Sequence, residues 1–333
     1  MVDGHDPVQA RDDGTRDLYD VTAWEVRSPL DGIAVTLYRV LRVTGKWLLV
    51  LASVGILLWL ASRTDLSRVT NPVVAGFTLL SILPALALVV FVWRSDVTSA
   101  EPISLLAATF ALGTLFAGFA ALVNSALGGV FGLVPVVGTI WFFYLVVGPV
   151  EETVKWLAVR IYAYRSSRFD AVIDGAVYGA VAGLGFATIE NALYITDAVG
   201  TPVIGNVLGA GGGVTPLRAI AGPGHVIYSA FAGYYLGLAK FNRDRAGPIV
   251  IKGLLIAALI HATYNTLTFV PQVAAAVLGV PTFVALLGFV VLYDGFFGYF
   301  LYRKLARYRA TYRAFYADRA EPTPTTERTE FED

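Results

Sequence analysis

The 333-residue sequence contains no cysteine, a single methionine and only three histidines. The missing cysteine excludes disulfides, thiolate metal sites and a cysteine nucleophile, and leaves the redox compartment unread. Charge is scarce: Lys, Arg, Asp and Glu make up 15% of the residues and balance to a net charge of zero. No basic surface for nucleic acid is expected from that balance. The first 28 residues are polar and Asp-rich with no early apolar core, so no signal peptide is expected. No internal repeat is legible, and no His-Glu-x-x-His zinc motif is present. Apolar residues are what the chain has in abundance: they reach 56%, and the mean hydropathy is +0.65. Runs of about 20 apolar residues recur, the length that crosses a bilayer as helix. The expected fold class is therefore all-α, a polytopic membrane bundle.

Residues 1–28 read as a disordered cytoplasmic tail. Ser28-Pro29 reads as a helix start, and apolar residues from Leu30 to Leu41 recur at helical spacing, which predicts an amphipathic interfacial helix over 29–45. Eight spans are expected across the bundle, 46–302: 46–62, 72–93, 103–125, 139–163, 170–196, 216–240, 247–270 and 280–302. Residues 303–333 form a second cytoplasmic tail. With span-edge residues counted into the adjoining connections, alternate compartments hold nineteen and two Lys/Arg. The positive-inside rule then places both termini in the cytoplasm of a multi-pass cell-membrane protein.

Ionisable residues inside spans are costly and therefore functional candidates. Segment four carries Gly148-Pro149-Val150-Glu151-Glu152, followed by Lys155. Gly-Pro predicts a broken helix that restarts at Pro149. Glu151 and Glu152 then fall in the first turn, where the helix dipole favours carboxylates. Lys155, four and three residues on, can pair with either. A structural ion triad is the bland alternative, but two adjacent glutamates exceed what one lysine needs. The pair suits general acid–base chemistry.

Segment five repeats a small residue every four positions at Gly175, Gly179, Gly183 and Ala187, then ends in Glu190-Asn191. Segment six places His225, Ser229, Gly233 and Gly237 on one face. Segment seven puts His261 and Asn265 on another. The small-residue ridges let helices approach closely, and Ser229 reads as a packing residue. A count of helical rise puts Glu151 and Glu152 near mid-membrane, with His225, His261 and Glu190 further towards the outer side. One cavity in the outer half of the bundle can collect all five, so the catalytic core is placed at about 139–270. Asp294 is expected to pair with Lys252 or to cap a polar pocket away from the site. Asp174, near the cytoplasmic interface, reads as structural.

Together, Glu151-Glu152-x-x-Lys155, the Asp174-Gly…Tyr178-Gly179…Gly183-Leu-Gly-Phe186…Glu190-Asn191 run, Gly224-His225 and His261-x-x-x-Asn265 resemble the PrsW family of intramembrane proteases. They lie within the wider group of CAAX-prenyl-endopeptidase and bacteriocin-processing membrane proteins. The resemblance implies hydrolysis of a membrane-anchored protein within the lipid bilayer, with no organic cofactor. It maps the glutamate pair to Glu151 and Glu152, and the family histidine and asparagine to His261 and Asn265. In the CAAX-type relatives a histidine follows a phenylalanine by four residues; here Glu190 follows Phe186, and His225 is the candidate second imidazole.

Two mechanisms stay open. In one, Glu190, His225 and His261 hold a divalent metal such as zinc while Glu151 or Glu152 deprotonates water. In the other, a glutamate activates water unaided and His261 and Asn265 stabilise the oxyanion. Lys155 and Asn191 are supporting residues in both. A proton-coupled secondary transporter using the carboxylate pair is the alternative function, disfavoured by the missing repeat.

Overall fold

The computed structural model describes residues 6–41, 44, 72–199 and 212–317. The expected first span, 46–62, lies outside them. Among the described residues the chain is all-α, with one isolated bridge between Tyr19 and Ala23. In chain order the helices are α1 (residues 29–41), α2 (Pro72–Ser81), α3 (Leu83–Trp93), α4 (Ile103–Phe131), α5 (Val137–Phe142), α6 (Gly148–Ile161), α7 (Val172–Val199), α8 (Gly212–Phe241), α9 (Ala246–Leu267), α10 (Val270–Leu278) and α11 (Thr282–Ala317).

Five stretches are long and apolar enough to cross a membrane: Ile103–Phe131, Val137–Arg165, Val172–Thr196, Arg243–Leu278 and Thr282–Tyr316. The α2–α3 pair, bent by 42°, makes a sixth if it counts as one span. Helix α8 is 30 residues long but falls short of that apolarity, because it carries Arg218, Pro216, Pro223 and a run of glycines. It is nevertheless central: from Val226 to Ala239 every residue is buried.

α7 and α8 form the heart of the bundle. A Cβ placed on Gly175, Gly179 or Gly183 would run into the backbone carbonyls of Gly233, Ser229 and His225 respectively. Each step of four along α7 is thus matched by a step of four back along α8, and the two small-residue ridges are one antiparallel contact. Only glycine lets the backbones close to this distance.

For residues 6–28, where composition points to a disordered tail, the structure shows a packed segment. Val8, Leu18, Val21 and Trp24 are buried in the main core. The Asp6 carboxylate accepts the backbone N–H of Val172 and of Val8, and the Tyr308 hydroxyl. Asp20 and Asp31 meet Lys304 and Lys252 at 2.5 and 2.8 Å. Asp20 in the expected tail and Asp31 at the start of α1 are therefore counter-charges for lysines on α11 and α9. This also corrects the expected Lys252–Asp294 pair: Asp294 instead accepts a hydrogen bond from the Tyr228 hydroxyl at 3.0 Å. Ser28 and Asp31 start α1 with a reciprocal cap, Asp31 N–H to Ser28 Oγ and Ser28 N–H to Asp31 Oδ2.

The expected break at Gly148-Pro149 is also corrected. The helix continues through a single π turn, Phe143–Val147, closed by the Gly148 N–H donating to the Phe143 carbonyl. Proline lacks an N–H and its ring crowds the preceding turn. Widening that turn relieves the clash without ending the helix. Gly148 adds a close approach, since a Cβ there would sit 2.7 Å from the Ala258 carbonyl of α9.

Candidate active site

Two close approaches assemble the site. Gly148 brings the first turn of α6 against α9, and so carries Glu151 and Glu152 to His261. The α7–α8 ridge brings His225 beside Gly183. The same antiparallel register, carried seven residues further along α7 and seven back along α8, sets Glu190 opposite Arg218. Their side chains meet at 2.9 Å.

Glu152 is fully buried and fully engaged. Its Oε1 lies 2.7 Å from Lys155 Nζ and 2.8 Å from His261 Nδ1. Lys155, 1% exposed, also reaches His225 Nδ1 at 3.0 Å and stands 4.1 Å from the Phe186 ring centroid. Glu151 is different. Its Oε1 accepts a hydrogen bond from Asn124 Nδ2 at 2.9 Å, while its Oε2 is buried with no hydrogen bond. That free oxygen is 3.7 Å from His261 Nε2 and 3.9 Å from Lys155 Nζ. The two imidazoles meet edge-on with centroids 5.2 Å apart.

His225 Nε2 faces Glu190 Oε2 at 2.6 Å. Arg218 Nε donates to Asn191 Oδ1 at 2.9 Å, and Asn191 Nδ2 donates to Ser81 Oγ at 2.9 Å. Asn191 therefore supports the site from behind through Arg218. A cavity of about 680 Å³ opens onto Asn124, Glu151, Glu190, His225, His261 and Asn265. Asn265, one turn beyond His261, is half-buried in its wall.

All the site residues expected from the sequence thus converge, in two layers. Glu151, Glu190, His225, His261 and Asn265 border the cavity, whereas Glu152, Lys155 and Asn191 hold the first group in place. Two members were not anticipated. Arg218 carries a legible signal, since it lies seven residues before His225 and so on the same helical face. Asn124 carries none beyond being polar in an apolar span.

The donor set suits a divalent metal. Ligand-capable atoms of Glu151, His225 and His261 all lie within 4.8 Å of one another. The trio contains Glu151 in place of the Glu190 expected from the sequence; Glu190 lies against His225, with Oε2 2.6 Å from Nε2. Nitrogen and oxygen donors in this number are a zinc-type set, and the unpartnered Glu151 Oε2 leaves room for a further group. Glu152 on His261 Nδ1 is the carboxylate that orients a ligating imidazole.

A family model described as PrsW family intramembrane metalloprotease matches residues 101–296. Protease PrsW of Bacillus subtilis (strain 168) is 29% identical over 191 residues, 55% of this chain and 78% of that protein. Protease PrsW of Geobacillus kaustophilus (strain HTA426) is 30% identical over 194 residues, 57% of this chain and 80% of that protein. That of Shouchella clausii (strain KSM-K16) is 27% identical over 203 residues, 57% and 82% respectively. No solved structure matches the chain.

Proposed function

We propose specific roles for the clustered residues from one premise: the chain belongs to the PrsW family of intramembrane metalloproteases. It is an intramembrane endopeptidase acting on a membrane-associated protein, and the transporter alternative has no support among its relatives. In our reading Glu151 is the general base. The observation that carries this is its free Oε2, buried beside both imidazoles and lining the cavity. Glu152 commits Oε1 to Lys155 and His261, its Oε2 accepts from the Ser229 hydroxyl at 3.5 Å, and it does not border the cavity.

A divalent ion such as zinc would be held by Glu190, His225 and His261, and when bound it supplies Lewis-acid polarisation of the water and the carbonyl. Glu151 Oε2 takes a proton from water as its oxygen bonds to the peptide carbonyl carbon. Asn265 donates to the oxygen that becomes negative. Glu151 then returns the proton to the amide nitrogen as the C–N bond breaks, giving a carboxyl and an amine. Lys155 pairs with Glu152 opposite His261, and Arg218 fixes Glu190. The cleaved segment is a single-span or juxtamembrane stretch, since the cavity lies among apolar helices.

For the bundle as a whole we retain a count of eight spans, seven of them on described residues, namely the bent α2–α3 pair, α8 and the five long apolar stretches; the eighth expected from the sequence, 46–62, lies outside those residues. Both termini are cytoplasmic, and α1 is an interfacial helix.

The test is paired metal content and cleavage in purified variants. Glu151→Gln should retain the bound metal and lose cleavage, while Glu190→Gln and His225→Ala should lose both. Metal loss in Glu151→Gln would make Glu151 a ligand and overturn its assignment as base.

A further inference from the structure

Glu190 Oε2 is buried among its ion-pair partners Arg218 and His225; two other buried acceptors of the site have no hydrogen bond, Glu151 Oε2 and Asn124 Oδ1. They belong to side chains joined by one contact, Asn124 Nδ2 donating to Glu151 Oε1 at 2.9 Å. That contact settles the amide's orientation. An amide oxygen against a carboxylate would be repelled, so the nitrogen faces Glu151 and the oxygen is turned away from it. Asn124 comes from α4, which packs on α6 but supplies nothing else to the cluster. It also borders the cavity.

A buried acceptor with no donor is unfavourable, and an apolar residue at this place would avoid it. The free end gains a purpose once substrate is present. A membrane segment must unwind locally before its peptide bond can be attacked, and unwinding strips main-chain N–H groups of their helical acceptors. In an apolar bundle each freed N–H needs a replacement. Asn124 stands beside the base and borders the cavity that must admit the segment, so a turn of its side chain would bring the buried acceptor to an entering main chain.

Resting on the reading of Glu151 as base, we infer that Asn124 is a positioning residue for Glu151 and that its Oδ1 receives a main-chain N–H of the unwound substrate. One end of the amide sets the carboxylate and the other seats the peptide, which couples the two by a fixed distance. The role is distinct from that of Asn265, which sits on α9 beyond His261.

The experiment uses the full-length, metal-loaded enzyme in micelles, with a fluorogenic single-span peptide that the wild-type enzyme cuts. Asn124→Ala removes both ends of the fork and should lower kcat by about tenfold or more while raising KM. Asn124→Asp keeps the acceptor but places a second carboxylate against Glu151. It should lower kcat and leave KM near the wild-type value. General structural damage would not separate the two parameters in this way. If thermal unfolding shows that Asn124→Ala no longer folds, the near-isosteric Asn124→Asp decides alone. Wild-type kcat and KM in both variants, or a KM in Asn124→Asp raised as far as in Asn124→Ala, would overturn the inference. Glu151→Gln, assayed alongside, separates the premise: if it cuts the peptide as wild type does, the base assignment fails, whatever Asn124 does.

Discussion

His261 presents its Nδ1 to Glu152 Oε1 at 2.8 Å, and this contact decides which ring nitrogen is left for chemistry. With Nδ1 committed, Nε2 is the atom that faces Glu151. The adjacent glutamates therefore do different work although they differ by one position in sequence. One helix step turns Glu152 into the core between Lys155 and His261, and Glu151 towards Asn124 and the cavity.

Glu152→Gln should weaken metal binding by about 10–100-fold, the usual effect of removing a group that orients a ligating imidazole. Cleavage should fall with it. Titration of the purified apo variant with zinc, read against wild type, checks this; unchanged affinity would remove Glu152 from its orienting role.

Gly183→Ala should abolish or sharply reduce activity, because a Cβ there collides with the His225 carbonyl and lies 2.9 Å from Ser229 Oγ. The displacement is delivered to the residue that carries the second imidazole. Gly118→Ala on α4 meets nothing within 4 Å and should be silent. Equal activity of the two variants at equal membrane abundance would contradict the packing argument.

Glu101, at the start of the matched region, lies outside the spans. Its carboxyl is pushed up to about 8 by burial, with further contributions from the Asp96 and Asp170 charges against the lowering effect of the Tyr178 hydroxyl. The sign follows from the raised value: the folded state holds the proton more tightly than the unfolded one. The stabilisation is complete below the ordinary value of 4.5 and is lost as pH rises through about 8. Asp6, raised to about 6 by burial, gives a parallel loss that ends lower. Glu101→Gln should therefore reduce the fall in thermal unfolding temperature between about 6 and about 8, a window that lies above the loss due to Asp6. An unchanged slope in that variant would contradict the assignment.

Much of this site is legible in the sequence because intramembrane charge is rare and each instance stands out. Glu151, Glu152, Lys155, His225 and His261 all announce themselves in that way. The four-residue ridges of α7 and α8 also identify each other, since only two glycine-rich faces can approach so closely. Asn124 is not legible, because nothing in α4 says that it packs beside the first turn of α6. The π turn before Gly148 is likewise not legible: Pro149 signals a disturbed helix, and a broken helix and a widened turn both relieve its ring. The N-terminal segment is misjudged for a related reason. Asp6 and Asp20 have the composition of a solvated tail, and only distant groups make them structural: the Val172 N–H and the Tyr308 hydroxyl for Asp6, and Lys304 for Asp20.

The most direct test of the central claim compares newly formed protein N-termini in membranes containing equal amounts of folded wild-type or Glu151→Gln protein. N-termini found with wild type alone, mapping within or beside single-span segments, are expected. Identical sets of N-termini from the two membranes would contradict it.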